Sequence, residues 1–192
     1  MTRQYKLTKP AFKAHYDLVS DDKTYFIDIN TKPFSPKTPT LTFYLGTDKS
    51  GAVIGGAYRP AFTETFKLAF GDALSEQEPI WEDLQKTRVS VFEYKWSADL
   101  PSKIEEGRDE RHTFIWKRTK TVGVDGSEPL SWSQRNWKLV EEGQDAVLAV
   151  FTAERSIGKC GTLQISVDWE GLEEKVVMTL VSMYHRTMQG GG

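Results

Sequence analysis

Residues 172–188 read LEEKVVMTLVSMYHRTM, and the architecture is built around them. At 100° per residue, Val176, Val177, Met178, Leu180, Val181, Met183 and Tyr184 cover most of a helical circumference, and only Thr179 and Ser182 interrupt the ring. A helix apolar on nearly every side belongs inside a core or a membrane. A bilayer span needs about 20 mostly apolar residues, and this run is shorter and carries polar breaks. Glu173 and Glu174 in its first turn and His185 and Arg186 in its last complement the helix dipole. Gly190 follows as a stop signal. The stretch therefore predicts a core helix, with His185 as a favourable positive charge near its end.

What precedes the helix is β in texture. Short runs rich in β-branched and aromatic residues alternate with polar turns. Ten strands are predicted, at 14–19, 24–29, 41–45, 52–58, 65–70, 89–94, 111–118, 136–140, 146–152 and 162–168. In the run HTFIWKR, His112, Phe114, Trp116 and Arg118 fall on one face. The connectors 20–23 and 141–144 suit hairpin loops, which implies antiparallel neighbours. Residues 78–86 carry Pro79 near a possible helix start and Ile80 and Leu84 four apart, which predicts a short surface helix. Residues 97–109 and 120–135 read as exposed loops, and the proline-rich segment 31–39 is unsuited to a central strand.

About ten strands tend to curl or close, and closure removes exposed edges. An eight-stranded barrel holds only its own side chains, whereas a helix with side chains is about 10 Å or more across. Enclosing the terminal helix calls for a wider, can-shaped barrel. The expectation is a mainly β, closed antiparallel barrel around a central hydrophobic helix, with a sandwich carrying the helix on one face as the alternative. The 192 residues, without repeat or long linker, form a single domain.

The order of several motifs resembles the tubby C-terminal-like superfamily, which includes LURP-one-related proteins and phospholipid scramblases, and within it the fungal cytosolic members. Those motifs are Tyr25-Phe26-Ile27-Asp28, Leu41-Thr42-Phe43-Tyr44-Leu45-Gly46, Lys49-Ser50-Gly51, Phe114-Ile115-Trp116-Lys117-Arg118-Thr119 and Asn136-Trp137-Lys138-Leu139-Val140, followed by the apolar helix. The resemblance implies a twelve-stranded barrel around a central helix, so two strands beyond the ten would lie in the loops. It also implies engagement of phosphoinositides or other lipids. No phosphoinositide ligand of the superfamily transfers to a position in this chain.

Composition narrows the function. A net charge of −2 argues against nucleic acid as a bulk electrostatic partner. The first residues carry no apolar leader, no run of 18 apolar residues exists, and Cys160 is alone, so a cytoplasmic domain without disulfides is expected. Gly46-Thr47-Asp48-Lys49-Ser50-Gly51 has the outline of a phosphate loop, but Ala52 and Val53 stand where Lys and Ser/Thr are required, so a hairpin turn is expected. Gly55-Gly56 inside a strand predicts a bulge or bend. His15, His112 and His185 show no metal-ligand spacing, and Cys160 has no base beside it in sequence. Asp28 falls on the solvent side of its strand.

No catalytic, metal or cofactor motif is present, and the chain reads as a non-enzymatic binding domain. The site expected for an anionic phospholipid headgroup, a membrane surface or a protein partner is Arg108, Arg111, Trp116, Lys117, Arg118 and Lys120, within thirteen positions. Arg and Lys bind phosphate, and Trp suits a water–acyl interface. Asp109 and Glu110 in the same stretch, and alternation that sends Lys117 and Arg118 to opposite faces, weigh towards a solvated strand. Trp132 is expected to be exposed. A carrier of a small apolar ligand inside the barrel is the alternative, and it requires a lumen that the helix does not fill.

Overall fold

The computed structural model describes residues 2–31, 39–60, 63–74, 79–87, 93–102, 105, 107–129 and 133–189. Twelve antiparallel strands close into a barrel: β1 (Arg3–Thr8), β2 (His15–Val19), β3 (Thr24–Ile29), β4 (Leu41–Leu45), β5 (Ala52–Tyr58), β6 (Phe66–Phe70), β7 (Trp81–Lys86), β8 (Glu93–Pro101), β9 (Asp109–Arg118), β10 (Trp137–Glu141), β11 (Val147–Ser156) and β12 (Lys159–Ile165). Each strand pairs with its chain neighbours, and β1 closes the ring against β12, with Arg3 opposite Ile165 and Lys6 opposite Thr162. The helix α1 (Leu172–Gln189) then runs through the barrel.

Residues 176–185 of α1 are all buried, Thr179 and Ser182 included. Strands on every side account for this. Trp116 of β9 donates its indole N–H to Thr179 Oγ1 at 3.0 Å. The Tyr184 ring lies edge-on to Tyr16 of β2 and Phe151 of β11. On β5, an extra residue at Ile54 bends the strand, because Phe43 pairs with Gly55 while Tyr44 pairs with Val53. The neighbouring Gly55 leaves room for Met178: a Cβ there would lie 2.3 Å from its methyl and 2.6 Å from the Ala69 carbonyl oxygen. The close approach that the glycine permits is that of the barrel's own helix.

The closed barrel agrees with the architecture expected from the sequence and sets the sandwich aside. The strand expected at 89–94 meets β8 only at residues 93 and 94, and 89–92 lie outside the described residues; two further strands differ from the sequence reading. Residues 81–86 form β7 and not a surface helix: only Leu84 points fully into the core, and the ring needs a strand between β6 and β8. Arg3–Thr8, absent from the ten, is β1, with Tyr5 and Leu7 buried and alternating with outward Gln4 and Lys6. The segment 97–109 is not one loop, since β8 extends to Pro101 and β9 begins at Asp109. Trp132 and residues 32–38 of the proline-rich segment lie outside the described residues.

Strictly antiparallel neighbours place alternate connectors at alternate ends. The helix enters beside the β2–β3, β8–β9 and β10–β11 connectors and finishes beside the β1–β2, β5–β6 and β11–β12 connectors. We call these the entry end and the exit end.

Candidate functional site

Charge is sorted along this axis. At the entry end, Asp168, Glu170, Glu173 and Glu174 surround the first turn of α1 together with Lys23, bordering a depression of about 400 Å³. Glu173 is its best-anchored member. Its carboxylate accepts from Lys23 Nζ at 2.9 Å and Tyr25 Oη at 2.5 Å, and it pairs with Arg3. Burial works to raise its pKa, but the hydrogen bonds from Tyr25 and Lys23, with the Lys23 charge, outweigh that and hold the carboxyl at about 2. A carboxylate so saturated, on the turn the helix dipole favours, anchors the helix in the barrel.

The exit end is basic. Lys9 and Lys13 lie on the β1–β2 connector, Arg59 follows β5, Arg135 precedes β10, Lys159 opens β12, and Arg186 lies in the last turn of α1. Glu64 pairs there with Arg186 at 2.9 Å and Lys86 at 3.5 Å, and Glu154 near the end of β11 is a second carboxylate on this side, accepting from Thr162 Oγ1 at 3.3 Å. Among the described residues, no carboxylate pairs with Lys9, Lys13, Arg135 or Lys159. The net charge of −2 thus conceals an acidic entry end and a basic exit end.

Inside the exit end, His185 is buried, with Nδ1 3.1 Å from Tyr16 Oη and Nε2 2.8 Å from Gln189 Nε2. A neutral ring satisfies both by donating from Nδ1 and accepting at Nε2. Burial, with the charges of Lys9 and Arg59, lowers its pKa to about 4. The expected favourable cation at the helix end is therefore a neutral core residue, and Arg186 alone supplies the last turn's positive charge. Cys160 faces into the barrel from β12, where burial pushes its thiol up and away from reactivity.

The structure disperses the six residues of the expected headgroup site. Trp116 is fully buried against α1, because its alternation on β9 turns it inward, so it cannot meet an interface outside the barrel. Arg108 lies at the entry end, bonded to Glu105 at 2.7 Å. Arg111 reaches across β8 on the outer wall and grips Glu82 with both terminal nitrogens, at 2.6 and 2.5 Å, with Asp99 at 3.4 Å. Lys117 sits on the wall in register with Glu93 and Lys138. Arg118 donates to the Ser133 carbonyl at 3.3 Å. Only Arg118 and the exposed Lys120, where β9 finishes, belong to the exit end. The residues that make that end basic come from five other places in the chain. The signal for them was topological and required knowing that β1 is a strand.

The remaining motifs are structural. The Gly46–Gly51 stretch is the β4–β5 hairpin, held by Asp48 Oδ1, which accepts from the Ser50 amide at 2.7 Å. Asp28 faces outward and pairs with Lys49 at 2.7 Å. Among the described residues, no group of three His, Cys, Asp or Glu side chains is placed to hold a metal, and no helix is long and apolar enough to cross a membrane. No family model matches the chain, and no curated protein matches it.

Proposed function

We propose that the chain is a non-enzymatic, cytoplasmic member of the tubby C-terminal-like superfamily that binds anionic phospholipid surfaces through the exit end of its barrel. The observation that carries this reading is the sorting of charge: Lys9, Lys13 and Lys159 have no carboxylate partner among the described residues at one end, and carboxylates gather around the start of the helix at the other. A molecule polarised in this way orients itself before contact, basic end first, in the field of an anionic surface. Twelve strands around a helix agree with the fold the resemblance implies. The carrier reading has less to rest on, since buried helix residues 176–185 occupy the lumen it would need.

Co-sedimentation with phosphatidylserine-rich and with wholly phosphatidylcholine vesicles tests the proposal. Binding should require the anionic lipid and weaken with salt. Each lysine near an anionic surface contributes about 1 kcal/mol, so Lys9→Gln/Lys13→Gln/Lys159→Gln should weaken binding by roughly a hundredfold. Equal, negligible sedimentation with both vesicles would remove the lipid reading and leave a protein partner for the same basic end.

A further inference from the structure

Two large apolar side chains project from the exit end with nothing of the fold over them. Phe12, in the β1–β2 connector, and Ile157, in the β11–β12 connector, are essentially fully exposed, at 108% and 99%. Single exposed apolar residues are ordinary on protein surfaces, but three features set these two apart.

The first is backbone. Lys13 N–H donates to the Pro10 carbonyl at 3.2 Å, closing a turn in which Phe12 takes φ +62°. Among non-glycine described residues, Phe12 alone has a positive φ. Turns of this shape take Gly or Asn at that position, so the backbone disfavours the aromatic residue it carries. A strained position that makes no packing contribution points to a role outside the fold.

The second is adjacency. Lys9 N–H donates to the Gly158 carbonyl at 2.9 Å and Thr8 pairs with Lys159, so the tips bearing Phe12 and Ile157 lie side by side. The third is charge. Lys9, Lys13 and Lys159 flank the two apolar side chains, and none has an ion-pair partner among the described residues. Ile80, also exposed, lies towards the entry end, away from these lysines.

We propose that Phe12 and Ile157 form a paired wedge that enters the acyl region of an anionic bilayer while the three lysines engage the headgroup phosphates. The chemistry is that of an interfacial anchor: apolar burial adds to electrostatic attraction, and neither alone suffices for firm attachment. The inference rests on the lipid reading above and adds insertion to it.

The test uses the full chain, Phe12→Gly/Ile157→Ser, and two separate single-cysteine reporters, Phe12→Cys and Lys49→Cys, labelled with an environment-sensitive fluorophore. Cys160 is buried and does not compete for label. Phe12→Gly removes the side chain and relieves the backbone, so the double variant should melt no lower than the parent. Its partitioning onto phosphatidylserine-rich vesicles should nevertheless fall by roughly tenfold or more. Emission from position 12 should shift to the blue on those vesicles, while that from position 49, at the opposite end, should not. Unchanged partitioning with an unshifted position 12 would overturn insertion and leave electrostatic adsorption standing. A parent that ignores anionic vesicles would overturn both readings. A parent that is dimeric by light scattering, made monomeric by the double variant and indifferent to vesicles would assign the wedge to a second copy and overturn the membrane.

Discussion

Protonating His185 should cost the fold stability between pH 6.5 and 4. Two effects compete at this position. A positive charge at a helix C-terminus is worth about 0.3–1 kcal/mol, which would favour the imidazolium. Against it stand burial, the nearby Lys9 and Arg59, and Gln189, whose amide nitrogen faces Nε2 and would meet a second N–H on a protonated ring. With a native pKa of about 4 against the ordinary 6.5, the unfolded chain binds this proton and the native one does not throughout that interval. Stability therefore falls as pH falls, by about 1.4 kcal/mol per unit and about 3 kcal/mol in all. The measurement is urea unfolding, followed by the fluorescence of the six tryptophans, for the parent and His185→Gln at pH 7.5, 6.5, 5.5 and 4.5. Glutamine keeps a polar partner for Tyr16 but cannot titrate, and subtracting the two curves cancels every other ionisation. The parent should lose ground to the variant progressively below pH 6.5 and hold a constant difference above pH 7. A pH-independent difference, or a parent that gains in acid, would refute a buried neutral His185 and restore the helix-end cation.

Three further outcomes follow from the packing. Glu173→Gln should cost about 2–3 kcal/mol at pH 7; because the native carboxyl lies at about 2 against an ordinary 4.5, that advantage is complete above pH 4.5 and should vanish as the pH approaches 2, which acid-dependent unfolding of both proteins would follow. Thr179→Val keeps the volume beside Trp116 but leaves its indole N–H without an acceptor, so thermal and urea unfolding should report a loss of about 1–3 kcal/mol. Gly55→Ala should destabilise by about 1–3 kcal/mol, since Met178 can rotate away but the Ala69 carbonyl cannot; an unchanged melting temperature would mean that β5 and α1 are less tightly apposed than described.

Much of the architecture was legible because it depends on local periodicity. An all-round apolar run such as 172–188 has one stable location, and a strand such as β9 announces its inward face by alternation. The failures were equally local. Ile80 and Leu84 satisfy a helical spacing, and a single buried residue in WEDLQK gives alternation nothing to register, so only pairing with β6 and β8 made the segment a strand. In β1 the alternating Tyr5 and Leu7 were present in the sequence, but a short run becomes a strand by what it pairs with, and its partner β12 lies at the far end of the chain.

The candidate site shows the same division more sharply. Nearness along the chain grouped Arg108, Arg111, Trp116, Lys117, Arg118 and Lys120, yet a ten-residue strand crosses the whole barrel and turns alternate side chains inward and outward. One end of that stretch therefore joins the acidic entry, Trp116 joins the core, and the rest pairs along the wall or reaches the exit. That a helix must be enclosed, and that strands must enclose it, follows from residue pattern alone, because pattern dictates which apolar surface has to be buried. Which charges share a surface was decided only by the closed topology. Antiparallel order sends every second connector to the same end and brings Lys9, Phe12, Ile157 and Lys159 together from opposite termini of the sheet.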